Sequence, residues 1–128
     1  MTGVTPVDPP QLHHRPAFAQ GVIVRAGPTL YVGGQNGTDN TGALLDGLEA
    51  QTEQAMRNVL AVVAEAGTGP EYVAKMTIYL AAGVDPGAAY AATLSVWGDR
   101  RGAVTVLAVT PARPGALVEI EAVAALPR

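Results

Sequence analysis

The period of the apolar positions changes along the chain, and each change marks an element. Between Leu48 and Ala66, the residues Leu48, Ala55, Met56, Val59, Val62, Val63 and Ala66 fall on one stripe of a 3.6-residue repeat, with Glu49, Glu53, Arg57 and Glu65 off it. That spacing predicts an amphipathic helix, with Asp46 as its N-cap and Gly67, followed by Gly69-Pro70, as its stop. From Tyr72 to Ala81 the period drops to two. Ala74, Met76, Ile78 and Leu80 share one face, and Val73, Lys75, Thr77 and Tyr79 the other, as in a half-buried strand. Asp85-Pro86 places an N-cap before a proline at the first helical position and opens a second helix to about Trp97, which Gly98 ends. Ala103 to Val109 and Leu117 to Ala125 read as two further strands, joined by the Pro/Gly-rich turn Thr110 to Ala116.

The N-terminal part is less regular. Residues 1–16 carry Pro6, Pro9, Pro10 and Pro16 and read as an extended arm. Gly21 to Arg25 and Thr29 to Gly33 are short apolar runs around the turn Ala26-Gly27-Pro28, a β-hairpin signal. Gly33 to Gly47 is rich in Gly, Asn and Asp without periodicity and reads as loop. The expected order is β-β-α-β-α-β-β, with hairpins at each end and two helices layered on one face of a mixed sheet, an α+β class. The other face would carry Lys75, Thr77, Tyr79, Thr105, Glu119 and Glu121 among apolar residues. Such a face is either wet or covered by another subunit.

Composition narrows the function classes. At 128 residues, 48% hydrophobic and with a net charge of −3, the chain is long enough for one domain (residues 1–128) and too apolar for a disordered one. It has no cysteine, which excludes a disulfide framework and thiolate chemistry. Eight basic against 11 acidic residues give no electrostatic footprint for nucleic acid or an anionic membrane. Neither an export signal nor a membrane-spanning run is visible, so a cytoplasmic location is expected.

Most familiar chemistries lack their residues. No phosphate-binding Gly-rich motif precedes a helix. His13-His14 lies in the arm, where neighbours point to opposite sides, and no metal site is expected. Ser95, the single serine, sits in an apolar helix without a nucleophile elbow. Arg101 and Glu119 remain. An arginine fork can hold a small carboxylate, and a carboxylate can orient or deprotonate water. Spacing alone favours a plainer account, a surface ion pair across a hairpin.

Several stretches together resemble the reactive intermediate deaminase (RidA/YjgF) family. They are Gln20-Gly-Val22, Tyr31-Val-Gly-Gly-Gln35, Gln51 with Asn58, Ala66-Gly67, Val73-Ala-Lys-Met-Thr-Ile-Tyr79, Arg101-Gly-Ala-Val-Thr-Val106 and Leu117-Val-Glu-Ile-Glu-Ala-Val-Ala124. Their order and spacing carry the likeness from about Arg15 to Ala125. The resemblance implies a chorismate-mutase-like α+β domain assembled as a homotrimer, with sheets facing inward and a cleft between each pair of subunits. It further implies hydrolysis of small 2-imino acids, formed from enamines such as 2-aminoacrylate, to 2-keto acids and ammonia, with no metal or organic cofactor. Arg101 then matches the arginine that clamps the substrate carboxylate, and Glu119 the glutamate that positions water. Gly34 and Ala103 would offer backbone groups to the substrate or to the leaving ammonia.

The chain also departs from the deaminase branch. Phe18 stands where a tyrosine is common, Tyr90 where an asparagine is common, and Gly102-Ala103 replaces a Ser-Cys type pair. The turn Thr110 to Ala116 is about three residues longer. These changes reshape the substrate-binding wall and leave two functional classes open: an imine/enamine deaminase, or a non-catalytic trimeric module that binds a small carboxylate such as a 2-keto acid. The ribonuclease label often attached to the family fits poorly with an acidic chain that has no histidine beyond the arm.

Overall fold

A computed structural model describes residues 3–127. The strands are β1 (Val4–Val7), β2 (Gly21–Val24), β3 (Thr29–Asn36), β4 (Val73–Ala81), β5 (Ala103–Val109) and β6 (Val118–Ala125); the helices are α1 (Leu48–Glu65) and α2 (Pro86–Trp97). A 3₁₀ turn, Pro70–Tyr72, leads into β4. Four strands form a mixed sheet in the order β3-β6-β4-β5. β6 runs antiparallel to both β3 and β4, whereas β4 and β5 are parallel. A parallel pair needs a crossover, and α2 supplies it.

The α+β class, the two helices and the mixed sheet match expectation; the strand pairing does not. β2 does not form a hairpin with β3. It pairs with β1, inside the proline-rich segment expected to be a plain extended arm, in a separate two-stranded sheet. The Gly27-Pro28 turn explains part of this: Pro28 has no N–H for a hairpin ladder, and its carbonyl accepts from Leu126 N at 3.2 Å beyond β6. Nor do β5 and β6 pair, because β4 lies between them. β6 takes the centre because it has the most buried pattern, with Val118, Ile120, Ala122 and Ala124 all inward.

From Lys75 to Ala81 β4 alternates as its sequence predicts, but a register shift between Val73 and Lys75 puts Val73, not Ala74, in the core. Met76, Ile78 and Leu80 are buried, while Thr77 and Tyr79 are half-buried and Lys75 is exposed on the opposite face. On α1 the inward stripe is Ala55, Met56, Val59 and Val63, joined by the polar residues Gln51 and Thr52. Asp46 does not cap this helix. Gly47 is the N-cap, at φ +91°, and its carbonyl receives the Gln51 amide at 3.0 Å. α2 starts as expected, with the Asp85 carboxylate accepting from the Gly87 and Ala88 amides, and Gly98 at φ +77° ends it. α1 packs on β3 and β6, and α2 packs chiefly on α1. None of the described helices is long and apolar enough to cross a membrane.

The sheet face away from the helices carries Tyr31, Lys75, Tyr79, Thr105, Leu107 and Glu121. Tyr31 is 76% exposed and Leu107 48%. Two cross-strand bonds order this face: Tyr79 Oη donates to Glu121 at 2.9 Å, and Lys75 Nζ to Thr105 Oγ1 at 2.7 Å. The bond to Glu121 favours the neutral phenol and raises the Tyr79 pKa above its ordinary 10.0.

Candidate functional site

Arg101 stands just before β5, where the segment after the arm folds against it. Phe18 bridges Gly102 in parallel, and Ala19 N donates to the Gly102 carbonyl at 3.0 Å. The carbonyls of this segment surround the guanidinium. Nε donates to Pro16 at 3.2 Å, and Nη2 to Arg15 at 3.2 Å and Phe18 at 2.8 Å. Nη1 donates to a carboxylate oxygen of Asp8 at 3.0 Å. Four of the five N–H groups of an arginine fork are thereby engaged, and the remaining one lies on Nη1, beside Asp8. The other Asp8 oxygen accepts the Gln20 amide at 2.9 Å, and Gln20 Nε2 donates to the His13 carbonyl at 2.8 Å.

Asp8 was not singled out by sequence reasoning. A signal existed, because it is the one acid before Asp39 in the chain. The Arg101 hydrogen bond, then the Gln20 amide, holds the Asp8 carboxyl below its ordinary 3.8. Asp39, held by the Thr41 hydroxyl and amide, is shifted the same way. A depressed carboxyl pKa contributes stability that is present above the ordinary value and is lost as pH falls through the folded-state value. Amide exchange at Gln20 should therefore accelerate, relative to the core strands, as the pH drops below about 4. An Asp8→Asn variant should lose that pH dependence at Gln20. Unchanged protection of Gln20 through the acid range would contradict the assigned contact.

The second group of residues sits on β3 and β6. The pairing of these strands shifts register between Val32 and Gln35, so that Gly33-Gly34 bulges and Asn36 faces Glu119. Gly34 is pressed against the Glu119 side chain: a Cβ at position 34 would lie 2.0 Å from Glu119 Oε2. α1 braces this strand end. Asn58 Nδ2 donates to the carbonyls of Asn36 at 3.2 Å and Thr38 at 3.0 Å. Gln51 Nε2 donates to Leu45 at 3.1 Å and Gly115 at 3.2 Å, while its Oε1 accepts from Leu117 N at 2.9 Å. One buried amide thus ties the loop before α1 to the start of β6. In a Gly34→Ala variant the flexible Glu119 carboxylate should move aside while the backbone stays. If Glu119 has the water-positioning role that the resemblance gives it, the expected outcome is a roughly tenfold or larger fall in imine turnover at a nearly unchanged melting temperature, since a displacement of about 1 Å at a reacting group can cost that much. Equal turnover would remove Gly34 from the site.

The predicted residues form two groups rather than one. Phe18, Tyr90, Arg101 and Ala103 lie around the start of β5; Gly34 and Glu119 lie on β3 and β6. Phe18 serves Arg101 only through its carbonyl. Its ring meets Tyr90 edge-to-face at 5.8 Å and 76°, and both rings line a cavity on the helix side of the sheet. Arg101 and Glu119 are not a pair across a hairpin. Ala103 is level with Lys75 on β4 and Glu119 with Tyr79, so Arg101 falls level with Val73, about six residues and roughly 20 Å from Glu119 along the strands. The ion partner of Arg101 is Asp8, and the described ion pairs leave Glu119 without one. Within one chain the two side chains cannot touch the same small molecule. Among the described residues, no group of three His, Asp or Glu side chains is placed to hold a metal.

The comparisons with known proteins cover almost the whole chain. The family model described as endoribonuclease L-PSP matches residues 11–126. The solved structure of YyfB of Yersinia pestis, a Rid-family protein of unknown function, is 28% identical with a TM-score of 0.86, over 98% of this chain and 100% of that one. RidA from an Antarctic Psychrobacter is 28% identical with a TM-score of 0.72, over 85% and 88% of the two chains. An Entamoeba histolytica protein named for endoribonuclease L-PSP is 31% identical with a TM-score of 0.72, over 96% and 99%. No curated protein sequence matches. With the family model spanning the helices and the four-stranded sheet, and with these structures superposing on the same architecture, the chain belongs to the Rid family, also called YjgF or endoribonuclease L-PSP.

Proposed function

We propose that the protein hydrolyses small 2-imino acids, and the enamines that tautomerise to them, to 2-keto acids and ammonia. The reaction would take place in clefts between the subunits of a homotrimer. One observation carries this reading. Arg101, a guanidinium already holding a carboxylate at 3.0 Å, and Glu119, set against a glycine, are too far apart to serve one small molecule within a chain. The exposed, half-polar face between them is suited to being covered by neighbours. A closed cyclic assembly would bring Arg101 of one subunit toward Glu119 of the next.

The chemistry asks little of the protein. The substrate carboxylate takes the Nη1 side of Arg101, displacing Asp8, and fixes the imine carbon in place. Glu119 accepts a hydrogen bond from a water and takes its proton as the oxygen adds to the C=N carbon. Glu119 then returns that proton to the nitrogen of the tetrahedral adduct and accepts the proton of the adduct's hydroxyl as the C–N bond breaks, releasing ammonia and the keto acid. Backbone groups at Gly34 and Ala103 border the path of the leaving nitrogen. RNA cleavage, which the names of some relatives suggest, has weaker support: the only histidines are His13 and His14 in the arm, and the net charge is −3.

A second reading, a carboxylate-binding module without turnover, is favoured by Phe18, Tyr90 and Gly102, which stand where the deaminase branch commonly carries polar side chains. It needs the same cleft. Sedimentation should give a mass near three times the 13.1 kDa of the chain, and pyruvate should raise the melting temperature. A monomer at working concentration would overturn both readings, and pyruvate stabilisation without imine turnover would select the second.

A further inference from the structure

Gln51 and Asn58 lie in the stretches that carry the family likeness, and the proposed reaction gives neither of them a part. Gln51 has a structural one, since its amide spans the loop before α1 and the start of β6. Asn58 is placed differently. It stands half-buried on α1 beside the apolar stripe of Ala55 and Val59, where an apolar side chain would need no partner. Gln54, one turn earlier, donates from Nε2 to Asn58 Oδ1 at 2.8 Å. That bond fixes which way the Asn58 amide points. Its Nδ2 then serves two carbonyls at the end of β3, Asn36 at 3.2 Å and Thr38 at 3.0 Å.

This end of β3 has few ladder bonds of its own. The bulge at Gly33-Gly34 interrupts the pairing with β6 after Val32, and only Gln35 and Asn36 pair beyond it, with Ile120 and Glu119. Other bonds secure Asn36 instead. Its carbonyl accepts from Asn58 and from Thr38 N at 2.9 Å, and its own Nδ2 donates to the Val118 carbonyl at 3.4 Å. Asn36 lies opposite Glu119, and Gly34, two residues back, is pressed against the Glu119 side chain. Among the described residues, no hydrogen bond or ion pair holds the Glu119 carboxylate. Its place within the chain therefore depends on the backbone it rests against, and α1 sets that backbone through Asn58.

We propose that Asn58 is a positioning residue for Glu119, acting through the Asn36 carbonyl on the end of β3 and through Gly34 on the carboxylate. It touches neither substrate nor water. The placement is a property of the fold, and its consequence for turnover rests on the deaminase reading. Misplacing a reacting group by about 1 Å can cost about 10²-fold in rate, whereas binding of the substrate carboxylate belongs to Arg101 and should not change.

The test compares Asn58→Leu, which removes both donors, with Val63→Ala, a core variant near the far end of α1. In protein carrying an isotope label on the glutamate carboxyl carbons, the Glu119 resonance should move in Asn58→Leu. The Glu121 resonance, two residues along the same strand, should stay, and neither should move in Val63→Ala. This readout needs no turnover. In hydrolysis of 2-aminoacrylate, Asn58→Leu should lower kcat about tenfold or more and leave KM within about twofold, while Val63→Ala should change neither. Should Asn58→Leu fail to fold, Gln54→Leu frees the amide to turn and should give the same changes at smaller size. A Glu119 resonance unmoved in the folded variant, an equal shift at Glu119 in Val63→Ala, or a raised KM at unchanged kcat would each overturn the assignment. Movement of the Glu119 resonance in a protein whose wild type has no turnover would uphold the positioning and remove the deaminase reading.

Discussion

Replacing Arg101 by alanine should lower kcat/KM for 2-imino acids by about 10³-fold. The guanidinium gives the substrate carboxylate two charge-assisted hydrogen bonds, each worth about 1.5–3 kcal/mol, and together these correspond to about two to four orders of magnitude. The same residue ties down the arm through the carbonyls of Arg15, Pro16 and Phe18 and through Asp8. Arg101→Ala should therefore also free residues 8–18, and a melting curve must accompany the kinetics. Arg101→Lys separates the two effects. It keeps the charge but has no fork, so KM should rise by about 10²-fold in a protein that still melts cooperatively. Asp8→Asn should move KM the other way, because substrate and Asp8 compete for Nη1. Full turnover in Arg101→Ala would remove this residue from the site.

Glu119→Gln should act on a different constant. A group that takes a proton from water in the transition state contributes about 10²–10⁴-fold, so kcat should fall by that factor while KM for the carboxylate hardly moves. The fold should tolerate the change. Glutamine is isosteric, and the described ion pairs do not include Glu119, so stability should stay within about 0.5 kcal/mol. The distance between Arg101 and Glu119 adds a consequence that few enzymes allow. Equal amounts of the inactive Arg101→Ala and Glu119→Gln chains, unfolded and refolded together, should recover about a quarter of wild-type activity. That fraction is the chance that adjoining subunits supply one intact Arg101 and one intact Glu119. No recovery from mixed trimers would mean that both residues serve the same subunit's chemistry, contrary to the register of β4, β5 and β6.

Local signals in the chain were legible where one element decides its own form. The two-residue alternation of Tyr72 to Ala81, the helical stripe around Met56 and Val59, and the Asp85-Pro86 start of α2 all depend on neighbours within a few residues. Strand partners were not legible. β1 with β2, and β6 between β3 and β4, are set by which strand is apolar enough for the centre and by a proline that blocks a hairpin; period alone carries neither fact. The Asp46 cap failed by one residue because Gly47 adopts a backbone conformation that lets its own carbonyl start the helix.

The site divides the same way. Arg101, Glu119, Gly34, Phe18, Ala103 and Tyr90 came from matched stretches of sequence, which name residues without giving their distances. The sheet register supplies the distance and separates the two members of the expected ion pair along the strands. Asp8 was missed because its partner lies 93 positions away in the chain, beyond the reach of any local pattern.

The most direct test is the rate of pyruvate release from 2-aminoacrylate, generated in situ by a dehydratase acting on serine, with spontaneous hydrolysis as the baseline. The expected result is a rate that rises in proportion to the protein added and returns to the baseline when Arg101→Ala replaces the wild type. Release at the spontaneous rate, whatever the amount of protein present, would contradict the deaminase reading and favour the reading of carboxylate binding without turnover.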